Sequence, residues 1–527
     1  MGRRWTSWVA AGLFLAASAQ GAVAATLRAV MHSDINVLDP VWSSAYITRD
    51  YGYLVYDVLF ALDAKLQPQP QMVDSWTVSE DKLTYRFTLR DGLEWHDGNP
   101  VTSEDCLASI KRWGARDTMG QKLMGFISEL KADDAKTFEI VLKEPYGLVI
   151  DSLAKPSGLV PFMMPKRVAE TDPYKQISDY TGSGPFMLKR DEWRPGDRIV
   201  FVRNPNYKPR PEPPSGLAGG KVAKLDRIEW IVMPDAQTQV NALVKDEIDM
   251  VETVGLDLLP LLERNASVSL ATGSYGYQYV FRPNWLQPPF DNEKVRQAAQ
   301  LALRQDDVLA AAVGDPRYYR TCKALFPCGT PYASTVGTDG RIEGDWQKAK
   351  ALLREAGYDG TPVTLLQPTD VAVLANLAPV AKSLLEKAGF KVDLQPLDWQ
   401  SLVSRVYSNK GPPSAGGWNA FLTSFSVVDI LDPLTTSYLA ANCAAARAGW
   451  PCDAAMEQLR DRFARETDPA KRKEIAEEVQ LRYMQVVTHV HLGEWFTVSA
   501  FRTTVDRSDW PALPPVMVFW NLSKKGG

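Results

Sequence analysis

The chain has 527 residues, of which 45% are hydrophobic and 23% charged, with a formal net charge of −4. That is an ordinary globular composition, slightly acidic and without a long basic run, which argues against a nucleic-acid-binding surface. It also exceeds the size of one ordinary core, so at least two lobes are expected.

Arg3 and Arg4 give a basic start, residues 9–19 are apolar, and Ala22-Val23-Ala24 is a small-residue cleavage site. Residues 1–24 therefore read as an export signal, because the apolar run falls short of the roughly 20 residues a spanning helix needs. A strand at 27–30, a loop over 33–40 and a helix through 51–59 follow. Leu83, Tyr85, Phe87 and Leu89 alternate with polar residues, the period of a half-buried strand. Asp91-Gly92 and Asp97-Gly98 are turns, and Thr102 or Ser103, with Asp105, caps a helix carrying Leu107, Ile110 and Trp113. Then come a strand at 137–142, a helical stretch at 165–170, and strands at 186–188 and 198–203. Prolines and glycines make 205–220 an irregular loop. A strand at 228–232, a helix at 236–245 and a strand at 248–251 precede Tyr275, Tyr277 and Tyr279, where the chain is expected to cross between lobes.

Asp291 is expected to cap one long helix carrying Val295, Ala299, Ala302 and Leu309. A helix at 346–356 ended by Gly357, a strand at 363–366, a helix ended by Gly389 and a strand at 390–394 alternate as in a layered α/β lobe. Residues 453–487 read as two amphipathic surface helices. A strand near 498–502 and the tail to Lys525 return to the first lobe.

Five cysteines in an exported chain suggest disulfides. Cys322 with Cys328, and Cys443 with Cys452, are close enough for short loop closures, and their intervals do not match paired zinc ligands. Cys106, on the helix after Ser103, is expected to be a buried thiol. No nucleophile elbow, zinc-protease helix or phosphate loop occurs; 215–222 lacks the leading Gly and the Ser/Thr after Lys221. His489 and His491 fall on one face of an expected strand but have no third ligand nearby. No metal, cofactor or catalytic role is therefore expected. Trp285, Trp399, Trp418 and Trp495 stand near loop or strand ends, where an aromatic-lined cleft would need them. A buried strand at 421–428 runs straight into Asp429 and Asp432.

Four stretches in order resemble one family: Asn36–Pro40 (NVLDP); LTYRFTLRDGLEWHDG with PVTSEDCLASIKR over 83–112; GSGPF at 182–186 with RNPNY at 203–207; and FDNEKVRQA at 290–298. They resemble extracytoplasmic solute-binding proteins of family 5, which serve peptide and nickel ABC importers. The resemblance implies an α/β, periplasmic-binding-protein-like fold of two lobes joined by a hinge. Lobe I would comprise 25–280 plus 500–527, with an extra subdomain at about 61–180, and lobe II 281–499. It implies a periplasmic monomer, not an enzyme, that captures a small ligand or peptide and passes it to an ABC permease at the inner membrane.

Peptide-binding members place an Asp four residues before a Pro, after this strand, to meet the ligand's α-ammonium. Asp429 stands four before Pro433 and inherits that role; Asp432 is the lesser candidate, a turn former. Trp399 matches a ligand-contacting tryptophan of oligopeptide-binding members, and Ser33, Trp418, Phe425, Ser426 and Val427 complete the candidate ligand contacts. Ser426 is also a departure, since oligopeptide-binding members carry Trp there. Cys443, fourteen residues past Asp429, resembles the dipeptide-binding members and implies the Cys443–Cys452 bridge. A non-peptide ligand (an opine, a sugar conjugate or a metal chelate) is the alternative, and a secreted hydrolase using Asp429 and Asp432 a distant one.

Overall fold

Two sheets divide the polypeptide in the computed structural model, which describes residues 25–511 and 515–525; the expected signal at 1–24 lies outside the described residues. The first sheet has seven strands in the order Phe186–Leu188, Arg198–Arg203, Arg227–Ile231, Thr26–Val30, Met250–Val251, Val498–Arg502, Val268–Thr272. Its centre is parallel, with Thr26–Val30 lying between Arg227–Ile231 and Met250–Val251. The second sheet has six strands in the order Tyr319–Arg320, Val490–Trp495, Tyr277–Pro283, Ala420–Ser426, Val363–Pro368, Val392–Leu397. Mixed sheets covered by helices make this an α/β protein. Leu27, Ile228 and Phe201 of the first sheet belong to one apolar core and Phe281, Leu365 and Leu422 of the second to another, which also takes in Val30, Val251 and Ala500 from the first sheet.

A third, four-stranded antiparallel sheet, Val73–Val78, Thr84–Leu89, Thr137–Leu142 and Ile127–Ala132, contains the alternating stretch. Tyr85, Phe87 and Leu89 point inward, as their spacing requires. The helix Ser103–Arg116 is capped by Thr102 and Asp105: Thr102 N donates to Asp105 Oδ2 at 2.8 Å, and Asp105 N donates to Thr102 Oγ1 at 3.4 Å. Its inner face buries Leu107, Ile110 and Trp113.

Two of the recognisable phrases have structural work in this fold. Asp39 is buried and accepts from Arg112 Nη1 and Nη2 at 3.1 and 2.7 Å, from Val41 N and Trp42 N at 3.1 Å, and from Ile177 N at 3.0 Å. Gly182 and Gly184 lie against the end of the helix Tyr46–Val55, where Gly184 N donates to Val55 O at 2.9 Å. A Cβ on Gly182 would sit 1.8 Å from Val55 O. Only glycine fits so close an approach.

Three expectations change. The helix expected to reach 59 ends at Val55, because the Gly182–Gly184 segment takes its carbonyl and the chain turns into Asp57–Val58. The single helix after Asp291 is two, Glu293–Ala302 capped by Asn292, and Gln305–Ala312. Asp345 N and Trp346 Nε1 take the carbonyls of Leu301 and Ala302, and the backbone breaks at Leu303 and Arg304. His489 precedes its strand instead of sharing a face with His491.

The chain passes between sheets twice, at 273–276 and at 496–497. At these crossings Tyr277 and Trp495 pair in register and stack at 4.9 Å. A Cβ on Gly276 would lie 2.1 Å from Trp495 O, so the two crossings touch backbone to backbone.

Candidate functional site

Asp429 sits where the two halves meet. The strand Ala420–Ser426 is held by Tyr277–Pro283, with Ser426 opposite Tyr277, and its apolar Ala420 and Leu422 enter the second core. Val427 N donates to Gly276 O at 2.9 Å, so the turn Val427–Asp429 is tied to the first crossing. Val427 and Val428 turn inward and leave the Asp429 carboxylate half-buried on the other side.

From the opposite half, Tyr46 opens its helix and its hydroxyl donates to Asp429 Oδ2 at 2.7 Å. Ser426 N also reaches Tyr46 Oη, at 3.3 Å. Burial and the Asp429 charge push the Tyr46 phenol well above its ordinary range, so it remains a donor. Arg49 lies over the Tyr46 ring, 4.6 Å from its centroid, and is itself buried against Asp50, Ser157 Oγ and Pro515 O at 2.8, 2.8 and 2.6 Å. Among the described residues, Asp429 Oδ1 has no hydrogen-bond partner; the left-handed Gly158 passes it, close enough that a Cβ would lie 3.7 Å away.

The carboxylate opens into a cavity of about 370 Å³ walled by Tyr46, Arg116 and Lys155 from one half and by Phe425, Ser437 and Arg447 from the other. That volume falls in the range of small-molecule sites, roughly 300–1,000 Å³.

The remaining candidates scatter. Phe425 lines the cavity and packs on Tyr438 at 4.7 Å. Ser426 and Val427 are fully buried behind it, so they shape the turn and offer a ligand no side chain. Asp432 is buried; its Oδ1 accepts from Leu434 N and Thr435 N at 2.7 and 2.9 Å, and burial raises its pKa. It is a turn residue in geometry. One expectation is corrected, for Trp418 is 0% exposed, packed on Phe421 and Trp450; Trp399 is half-buried, begins the helix Trp399–Ser408 and does not line this cavity. Ser33 is exposed, next to His32 and away from Asp429's cavity.

Both disulfides are formed, Cys322–Cys328 and Cys443–Cys452, and Cys106 is a buried thiol. His491 is buried with Nδ1 on Tyr483 Oη at 2.9 Å and Nε2 on Lys323 O at 3.2 Å, so neither nitrogen is free for a metal. Cys322, Cys328 and Glu494 lie together, but the bridge consumes both thiols. His32, Asp50 and Glu252 also converge, with atoms within 4.8 Å of one another. Arg49 already occupies Asp50, which makes this a charge network that a further cation would enter against repulsion. Burial lifts Asp50 to about 7 with Arg49 opposing; burial works against the His32 charge too, but Glu252 raises its pKa.

Tyr46, Arg116, Lys155 and Arg447 had no signal in the sequence. Each is unremarkable among its neighbours and reaches the cavity only through the tertiary fold.

The model of bacterial extracellular solute-binding proteins, family 5, matches residues 67–440. A probable peptide ABC transporter periplasmic-binding protein of Sinorhizobium fredii (strain NBRC 101917 / NGR234) is 40% identical over 512 residues, spanning 96% of this chain and 95% of that one. Among solved structures, the ABC transporter-associated periplasmic binding protein DppA of Helicobacter pylori, in complex with the peptide STSA, superposes with a TM-score of 0.77 at 20% identity, covering 95% of this chain and 98% of that one. The PBP AgaA of A. tumefacien R10, in complex with agropinic acid, gives 0.77 at 22% identity, covering 95% and 99%.

Proposed function

The chain belongs to the bacterial extracellular solute-binding proteins of family 5, the substrate-binding components of ABC transporters, and we propose that it captures a peptide by its free amino terminus on Asp429. The carrying observation is the Asp429 carboxylate itself: half-buried, oriented by one neutral donor, with Oδ1 facing an open cavity between the two halves. A carboxylate in that setting attracts a cation and rejects an N-blocked ligand, whose missing charge would leave it unpaired. The 40% identity to a probable peptide-binding relative supports a peptide over the other ligand classes.

The expected lobe bounds of 25–280 plus 500–527 and 281–499 move by a few residues to the crossings: the described chain up to 272 and from 498 onward forms one lobe, carrying the 61–180 subdomain, and 277–495 the other; the crossings at 273–276 and 496–497 serve as the hinge. Each lobe supplies one wall of the cavity, so a ligand is fully enclosed only when they close. The mature protein works as a monomer in the periplasm, exported by residues 1–24, and delivers its ligand to a permease at the inner membrane.

Native mass spectrometry of the protein as purified tests the reading by identifying what travels with it. A ligand with a free primary amine, whose N-acetyl derivative binds roughly 100-fold more weakly, is the expected result. A tightly bound ligand without an amine would contradict it.

A further inference from the structure

The charges around the cavity do not balance, and the imbalance specifies a ligand. Five charged side chains line it: Arg116, Lys155 and Arg447 against Asp117 and Asp429. Lys155 and Asp117 form an ion pair, and Asp117 further caps the next helix through Met119 N and Gly120 N at 2.9 and 3.1 Å. These two cancel. Among the described residues, the one hydrogen bond to Asp429 comes from the neutral Tyr46 hydroxyl. Arg49, behind the Tyr46 ring, is matched by Asp50 at 2.8 Å.

That leaves two guanidinium groups. Arg447 donates to Tyr407 Oη and Ser437 Oγ at 3.0 and 2.9 Å and lies 5.5 Å from the Phe425 ring centroid. Arg116 donates to Trp42 O at 2.9 Å and lies over the Tyr174 ring. Among the described residues, neither has a carboxylate partner. Among the described residues their hydrogen-bond and ring partners are all neutral, and Arg447 also feels the buried Arg282 cation, so the protein holds both groups in place without neutralising them. Both line the cavity, one from each half. Arg116 ends the helix Ser103–Arg116 of one half, whereas Arg447 sits in the loop that Cys443–Cys452 closes in the other. Trp450, in the same loop, packs on the buried Trp418, which anchors the loop to the second half.

We propose that this cavity selects small organic anions with one amino group and two carboxylates, the amine on Asp429 and the carboxylates on Arg447 and Arg116. The assignment rests on the binding-protein reading above and narrows its ligand. A neutral zwitterion leaves one guanidinium unmatched. A ligand with a basic side chain brings a further cation against both. A dicarboxylate spans the two halves and ties them together, so the same charges that select the ligand favour the closed form.

The test is calorimetric titration of the full-length mature protein, dialysed free of co-purified ligand, with four probes: Ala-Ala, Ala-Glu, Ala-Lys and N-(1-carboxyethyl)-L-alanine, a non-peptide with one amine and two carboxylates. Ala-Glu should bind about 10-fold or more tightly than Ala-Ala, and Ala-Lys more weakly than either. Arg447→Gln, at an exposed and therefore fold-tolerant position, should compress the Ala-Glu preference to about 2-fold or less, and Arg116→Gln should act in the same direction. Equal affinity for the three dipeptides would overturn the charge selection and leave peptide capture standing. Binding of the N-carboxyethyl compound alone would support the charge selection and overturn peptide capture. No binding of any probe would overturn both, and an Ala-Glu preference that survives both substitutions would overturn the assignment to Arg447 and Arg116.

Discussion

Replacing Asp39 by Asn isolates what holds the 33–40 loop to the rest of its lobe. The carboxylate accepts from Arg112 through both terminal nitrogens and from the backbone N–H groups of Val41, Trp42 and Ile177. Every partner is a donor, so an asparagine amide turned either way places its own N–H groups against donors. The Asp39 and Arg112 side chains are each only 1% exposed, so water cannot repair the loss. Removing one partner of such a pair leaves an uncompensated buried charge and costs on the order of 3–5 kcal/mol. At ~2–4 °C per kcal/mol for a unit of this size, the first transition should fall by roughly 6–20 °C. Urea unfolding followed by tryptophan fluorescence, alongside calorimetric melting, gives both quantities. A loss below about 1 kcal/mol would mean that the pair does not hold the loop, and that the Asn36–Pro40 phrase has another reason.

Gly276→Ala should force the two crossings apart, since the new Cβ would lie 2.1 Å from Trp495 O; stability should fall by about 1–3 kcal/mol, and ligand affinity with it through the Val427 turn. Wild-type urea unfolding and wild-type titration curves would show that the crossings have room to spare. The buried His491 should make stability acid-sensitive: burial holds its folded pKa down at about 4 against 6.5 for the free side chain. The unfolded chain therefore takes up a proton that the folded one refuses. The contribution is complete above pH 6.5 and lost as pH falls toward 4, at about 1.4 kcal/mol per pH unit. His491→Gln should remove that much slope from a urea series between these limits, and an unaltered slope would contradict the assignment.

Local signals carried the fold far. Alternation at Leu83–Leu89 became a strand with Tyr85, Phe87 and Leu89 inside, and the Thr102–Asp105 spacing became a capping box. Gly357 and Gly389 end their helices in the left-handed conformation, as punctuation alone suggests. What failed was decided by distant chain. Nothing near Val55 says that Gly182 and Gly184 will take its carbonyl, and nothing near Leu303 says that Asp345 and Trp346 will cap the turn before it. At the site, Asp429 was legible because a buried strand runs into it. Its partners were not: Tyr46, Arg116 and Lys155 come from the other half, and Arg447 from a loop defined by a disulfide. Trp418 shows the converse. An aromatic beside a loop has the same sequence appearance whether it stacks on a ligand or packs in a core, and packing placed Trp418 in the core.

Titration of Asp429→Asn and Asp432→Asn with a free-amine ligand tests the capture mechanism most directly. Asp429→Asn keeps the shape and loses the charge that meets the ammonium, which should cost on the order of 3–5 kcal/mol, or roughly 100-fold or more in affinity. Asp432 points into its own turn, accepting from Leu434 N and Thr435 N, so its substitution should leave affinity nearly intact and show itself as reduced stability. Small, equal losses in the two variants would contradict capture of an amino terminus at Asp429.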